Sequence, residues 1–208
     1  MLLYDYFRSS AAYRVRIALN LKGVAYDRHP IDLRTNEQQR PAYRACNPQG
    51  LVPSLDIGGG TILTQSLAII DWLDATYPEP RLIPADPIAR AHALAQALTI
   101  ACDIHPLNNL RVLRRLKAMG IEEEARDDWY RHWVSEGFDA LETIVGKGPF
   151  LAGDTPGIAD VCLVPQMYNA RRLSTPLDAW PRLVSIDARL AALPAFASAH
   201  PDQVAPAQ

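Results

Sequence analysis

Cysteine is scarce: Cys46, Cys102 and Cys162 are the only three in 208 residues, widely separated and without Cys-x-x-Cys spacing. An odd, scattered set argues against a disulfide framework, a cysteine zinc site and a dithiol redox pair, and reads as small apolar side chains in helices. Cys102 lies closest to other candidate site residues. No run of about 18 uncharged apolar residues occurs, and no basic segment leads into an apolar core at the N-terminus, so neither a membrane span nor a signal peptide is expected. The net charge of −2 gives no reason to expect nucleic acid as a partner. Hydrophobic residues at 49% and charged residues at 21% are ordinary for a soluble globular chain, and the cytoplasm is the expected compartment.

What is present changes character along the chain. Up to about residue 80, strand and helix signals alternate: strand Leu2–Phe7, helix Ala11–Lys22 closed by Gly23, strand Ala25–Ile31, a weakly helical Asn36–Cys46, a hairpin over Leu51–Thr64 turning at Gly58-Gly59-Gly60, and helix Ser66–Thr76. That order describes a small mixed sheet with helices on its faces. Three prolines in Pro78–Pro84 then read as a linker. Beyond it only helices are expected. A long one, Ile88 to about Met119, opens at Asp86-Pro87 and is kinked by Pro106 near Asp103. An apolar stripe of Trp129, Trp133, Phe138, Leu141 and Val145 marks a second. Helices Ile158–Arg172 and Pro181–Leu193 follow, and the tail after Pro194 is expected to be loosely held. The fold class is α/β followed by all-α: residues 1–80, a linker over 81–85, and a helical half over 86–208.

Four clusters could carry chemistry. At the first strand-to-helix junction, Arg8-Ser9-Ser10 places two hydroxyls where unpaired backbone N–H groups concentrate positive charge. The serines suit a helix cap, or donation to a thiolate; with no cysteine there, that thiolate would come from a small-molecule thiol, and Arg8 would meet a carboxylate. Asn47-Pro48-Gln49-Gly50-Leu51-Val52-Pro53 enters a strand through a Val-Pro bond. Such bonds are mostly trans; a cis bond would turn the Val52 N–H and C=O outward to pair with an extended ligand. Gln65-Ser66 starts a helix, either as a cap or as a second anion site suited to a carboxylate. Finally, His105, Asn108, Asn109 and Arg111 lie one to two turns apart, so several share a face of the kinked helix. Arg111 with Arg114, Arg115 and Lys117 also reads as a solvated basic face. A metal site at His105 fails for want of a second ligand at helical spacing.

In combination these segments resemble the glutathione transferases. Ser9-Ser10-x-x-x-Arg14-Val15-Arg16-Ile17-Ala18-Leu19, the Asn47–Pro53 run, Gln65-Ser66-Leu67-Ala68-Ile69-Ile70 and Ala159-Asp160-x-x-Leu163-Val164-Pro165-Gln166 are similar to the zeta class, the maleylacetoacetate and maleylpyruvate isomerases. The resemblance implies a thioredoxin-like domain followed by a helical domain, usually as a homodimer. It implies glutathione as cofactor, with a cis Val52-Pro53 peptide pairing its cysteinyl backbone. Gln65 and Ser66 would take the γ-glutamyl carboxylate, Gln49 would lie near the glycyl end, and Ser9 or Ser10 would donate to the sulfur. Asp103, His105 and Asn109, with Asn108 beside them, would lie at the dimer face and reach the partner's glutathione. Arg8, Arg111 and Arg172 would hold the carboxylates of a dicarboxylic substrate.

Two departures from the pattern stand out. Many zeta proteins carry Cys where this chain has Ala11, so no covalent role falls there. Gly157 replaces the usual capping Ser or Thr, and Asp160 at the third helical position is expected to accept the freed amides, a folding role. The expected activity is glutathione-dependent cis–trans isomerisation of a maleyl dicarboxylate. A broader transferase acting on α-halo acids, and a non-catalytic interaction module of the same fold, are the alternatives.

Overall fold

Leu3 and Leu55, both fully buried, carry the centre of a four-stranded sheet. Strand β1 (Leu2–Asp5) pairs parallel with β2 (Asp27–Pro30) and antiparallel with β3 (Ser54–Asp56), which pairs antiparallel with β4 (Ile62–Thr64), in the order β2-β1-β3-β4. Leu3 stands opposite Arg28 on one side and Leu55 on the other, and Leu55 opposite Leu63. These strands are shorter than the apolar runs that announced them. The computed structural model describes residues 1–206. Its chain divides into two units: Met1–Arg81 with the segment from Ala192 onward, and Leu82–Ala191.

In the first unit, helix α1 (Ser10–Leu21) buries Tyr13, Val15, Ile17 and Leu19, and α2 (Pro41–Cys46) is short. Helix α3 (Ser66–Thr76) packs against α1, as its buried Ile69, Ile70 and Leu73 require. A buried cation closes this layer. Lys22 Nζ lies 2.6 Å from Asp74 Oδ1 and donates at 2.6 Å to the carbonyls of Tyr77 and Pro80, pinning the end of α3 and the chain leaving it. A fully buried ammonium is tolerated only when so completely paired.

The last residues are held, contrary to the loose tail expected from sequence. Helices α9 (Pro194–Ala197) and α10 (Pro201–Val204) belong to the first unit. Arg16 Nε donates to Ala199 O at 3.0 Å, Arg28 Nη1 to Val204 O at 2.8 Å, and Asn20 Nδ2 to Ala195 O at 3.0 Å. Asp5 pairs with both arginines, at 2.7 Å to Arg16 and 3.4 Å to Arg28. The segment from Ala192 therefore belongs to the sheet unit, although the expectation from sequence counted it with the helical half.

The second unit is helical throughout. Helix α7 (Ile158–Arg172), bounded as its caps announced, is buried on nearly every face, Asp160, Gln166 and Asn169 included, with α4 (Pro87–Leu98) and α8 (Pro181–Ala191) packed on it. Helix α6 (Glu123–Ile144) buries Tyr130, Val134, Phe138 and Leu141, and its Glu142 accepts the Arg182 and Leu183 amides that open α8, at 2.8 and 3.0 Å. Asp160 acts at the start of α7 as expected, accepting from Gly157 N at 2.9 Å and Leu151 N at 3.0 Å.

The single long helix does not form. After α4 the chain widens into π-type turns over Thr99–Ile104, where the His105 amide reaches back five residues to Ile100 O at 2.9 Å, then turns, and α5 (Leu110–Ala118) starts afresh. Pro106 has no N–H for the carbonyl four residues earlier, and its ring clashes there. Asn109 then competes as a helix cap, its Oδ1 accepting the Arg111 amide at 3.1 Å. Together they break the helix where Pro106 alone was expected to kink it. No helix among the described residues is long and apolar enough to cross a membrane.

Candidate functional site

Ser9 settles the first junction. It is the N-cap of α1, in extended conformation, and its Oγ accepts the Ala12 amide at 3.2 Å. An accepting hydroxyl keeps its proton for another partner, so half-buried Ser9 can donate outward. Ser10 is the first helical residue and is buried. Arg8 is exposed with its guanidinium 5.0 Å over the Phe7 ring. The loop is braced from behind, because Arg16 Nη2 donates to Phe7 O at 3.0 Å.

The 47–53 loop is held by a buried hydrogen-bond network. Tyr43 Oη donates to Leu51 O at 2.6 Å, and Asn47 Nδ2 donates to the same carbonyl at 2.8 Å. With the tyrosine proton so used, the 2.9 Å contact between Tyr43 and Ser54 is a donation by the serine, whose Oγ also accepts from Asn47 Nδ2 at 3.2 Å. Burial pushes the Tyr43 phenol up, with bonds to Ser54 and Asn47 pulling the other way. Gly50 has φ +62°, and a Cβ there would lie 2.7 Å from Gln39 Nε2 and 2.9 Å from Gln38 O, so only glycine fits. The Val52-Pro53 bond is cis. Among the described residues, neither the Val52 N–H nor its C=O is hydrogen-bonded within the chain.

Gln65 lies next to this loop. Its backbone has φ +68° and ψ 116°, a region costly for any residue but glycine and typically kept where function demands it. The turn delivers Ser66 to the head of α3, and Gln65 Nε2 donates to Gln49 Oε1 at 2.8 Å. Ser66 is buried and accepts from Arg14 Nη1 at 3.3 Å. Ser9, Ser10, Gln49, Val52, Pro53, Gln65 and Ser66 thus all belong to the first unit, on two helix N-termini and one loop, each suited to anions or an extended backbone.

The broken helix separates the residues of the fourth cluster, which do not share one helical face. Asp103 is exposed in the π segment and His105 is half-buried at its end. Asn108 is buried and donates to Tyr130 O at 3.3 Å, while Asn109 caps α5. Arg111 is exposed in the first turn of α5, where a cation opposes the helix dipole and no acidic side chain compensates it. Arg172 is exposed at the end of α7. Near it, burial pushes the Tyr130 phenol up to about 12, against the countering charge of Arg172 and a hydrogen bond with Gln166.

Sequence reasoning missed Tyr43 and Ser54, and gave Asn47 and Arg14 no role beyond their motifs. The Asn-Pro before the loop was visible, but its side-chain partners come from elements brought together only by folding.

The chain matches the family description "Glutathione S-transferase, N-terminal domain" over residues 3–81 and "Glutathione S-transferase, C-terminal domain" over residues 123–197. It belongs to the glutathione transferases. A maleylacetoacetate isomerase of Pseudomonas aeruginosa is 48% identical over 203 residues, 97% of this chain and 96% of that one. Among solved structures, the holo form of a maleylpyruvate isomerase, a bacterial glutathione transferase of the zeta class, is 43% identical with a TM-score of 0.97, each chain covered completely. A maleylacetoacetate isomerase of Methylobacterium extorquens AM1 with bound malonate and glutathione is 40% identical with a TM-score of 0.93, again over both whole chains. In this glutathione transferase, then, the zeta-class resemblance and the thioredoxin-like-plus-helical fold read from sequence both hold.

Proposed function

We propose that this glutathione transferase isomerises a maleyl dicarboxylate, maleylacetoacetate or maleylpyruvate, from cis to trans with glutathione as cofactor. The observation that carries the reading is the joint presence, in one unit, of a serine-capped helix start, an unpaired Val52 peptide edge and the Gln65–Ser66 turn. These are the donors and acceptors a γ-glutamyl-cysteinyl-glycine backbone needs, and a module that never bound it would have no need of all of them together. Bound glutathione supplies a thiolate that adds to the conjugated double bond, allows rotation about the single bond so formed, and leaves.

The chain's own residues prepare that chemistry. Ser9 donates its hydroxyl proton to the sulfur, and the positive end of the α1 dipole adds charge beside it. A thiol otherwise ionising near 8.5 is lowered by about one or more pH units in such a place, raising its thiolate fraction about tenfold per unit. Ser10, the buried first residue of α1, is the alternative donor. Val52 pairs with the cysteinyl backbone, Gln49 lies by the glycyl end, and Gln65 with Ser66 holds the γ-glutamyl carboxylate. Arg8, Arg111 and Arg172 are assigned to the substrate's carboxylates and developing enolate, since each offers a two-pronged cationic donor.

We also propose a homodimer, supported by Ile88 and Leu98 on α4, 69% and 41% exposed. Asp103, His105 and Asn109 are assigned to completing the partner's glutathione site across a two-fold axis, whereas Asn108, buried against Tyr130 O, supports them from within its own chain. A fully active monomer in sedimentation would remove those three.

The broader-transferase alternative is separated from isomerisation by offering the protein glutathione with maleylpyruvate or maleylacetoacetate, and in parallel with a 2-chloro acid. The trans product should accumulate and halide release should be the slower reaction. Halide release without isomerisation would overturn the reading.

A further inference from the structure

Arg14 is a cation sealed inside the first unit with almost nothing to pair with. It is 1% exposed, and its Nε and Nη2 have no hydrogen-bond partner among the described residues. No ion pair of the described residues includes it. Among the described residues, the sole hydrogen bond of its side chain runs from Nη1 to Ser66 Oγ at 3.3 Å, at the head of α3. The other two buried cations differ sharply. Arg16 is met by Asp5, Phe7 O and Ala199 O, and Lys22 by Asp74 and two carbonyls. Burying an unpaired charge costs several kcal/mol, so a fold that keeps one gains by meeting an anion there.

We infer that Arg14 is a positioning residue for the ligand carboxylate at the head of α3, acting through Ser66. Because Arg14 donates to Ser66 Oγ, the serine oxygen is occupied as an acceptor and its proton is directed to another partner. The guanidinium polarises that hydroxyl and adds a full positive charge behind the partial charge of the helix N-terminus. A carboxylate accepting from Ser66 and the first α3 amides would supply the counter-charge Arg14 lacks. The inference rests on the reading that α3 receives the γ-glutamyl carboxylate of glutathione. It adds that the specificity for this carboxylate comes from behind the serine. A neutral side chain of similar length should relieve the unliganded protein while weakening the complex.

Calorimetric titration of the unaltered protein, Arg14→Met and Arg14→Lys tests this with glutathione and with γ-aminobutyryl-cysteinyl-glycine, the same tripeptide without the γ-glutamyl α-carboxylate. Glutathione affinity should fall about ten- to hundredfold in R14M, and less in R14K, which keeps the charge. Affinity for the decarboxylated tripeptide should be low and equal in all three. Melting of ligand-free R14M should occur at or above the temperature of the unaltered protein. Unchanged glutathione affinity in R14M, or an equal loss for both tripeptides with a lower melting temperature, would overturn the inference and leave Arg14 a packing residue. Failure of the unaltered protein to bind glutathione would instead remove the functional reading beneath it.

Discussion

Gln65 Nε2 donates to Gln49 Oε1 at 2.8 Å, joining the residue before α3 to the loop that carries the cis Val52-Pro53 bond. The two stretches meant for opposite ends of one tripeptide are therefore fastened to each other by side chains that also face the ligand in the proposed reading. Gln65→Ala and Gln49→Ala should each weaken glutathione binding in calorimetry. The double variant should lose less than the sum, by about 0.5–1.5 kcal/mol. Strict additivity would show that this hydrogen bond is absent from the liganded protein.

Ser9 and Ser10 make a paired prediction. Replacing both by Ala should remove a helix cap at a cost of about 1 kcal/mol while leaving the fold intact. The thiol of bound glutathione, titrated by its ultraviolet thiolate absorbance, should return towards about 8.5 in the double variant. A thiol that ionises as readily without the hydroxyls would leave the α1 amides as the whole cause.

The arginines separate by kinetics. Arg8→Ala and Arg172→Ala should each raise KM for the maleyl substrate about 10- to 100-fold, the worth of one charge-assisted contact, with glutathione affinity unmoved. An equal loss of affinity for both ligands would reassign them to glutathione.

Asp160 predicts a pH dependence of stability. Burial raises its carboxyl from 3.8 to about 6, against hydrogen bonds from the Leu151 and Gly157 amides. The folded protein thus holds this proton more tightly than the unfolded chain. The resulting stabilisation is complete below about pH 4 and is lost as pH rises through 6, in all about 3 kcal/mol. In urea titrations, the margin of the unaltered protein over Asp160→Asn should therefore shrink by roughly 2–3 kcal/mol between pH 4 and 7. A margin that grows over that range would mean the carboxylate is stabilised by its two amides more than burial opposes it.

Elements with local punctuation were legible in the sequence. Ser66–Thr76 and Ile158–Arg172 form as read because their signals are local: an apolar run closed before Pro78 in the first, and Gly157 with Asp160 at the start of the second. The 87–118 region breaks where a kinked helix is expected, because Asn109, three residues past Pro106, caps a new helix and turns a kink into an end. The anchored tail was illegible for another reason: its anchors, Asn20, Arg16 and Arg28, lie some 175–183 residues away and look like ordinary polar residues in a helix and an edge strand. Ser9, Gln49, Val52 and Gln65 could be read because motif and backbone coincide. The network of Tyr43, Asn47 and Ser54 could not, since nothing in their spacing says that they converge on Leu51 and on one another.

Following glutathione itself tests the account most directly. Maleylpyruvate is incubated with the protein at a tenth of its molar amount of glutathione, and free glutathione and fumarylpyruvate are quantified together. The account predicts no turnover beyond background without glutathione, complete conversion with it, and full recovery of free glutathione at the end. Conversion that stops after one equivalent of glutathione is consumed, or that proceeds without any, would contradict it.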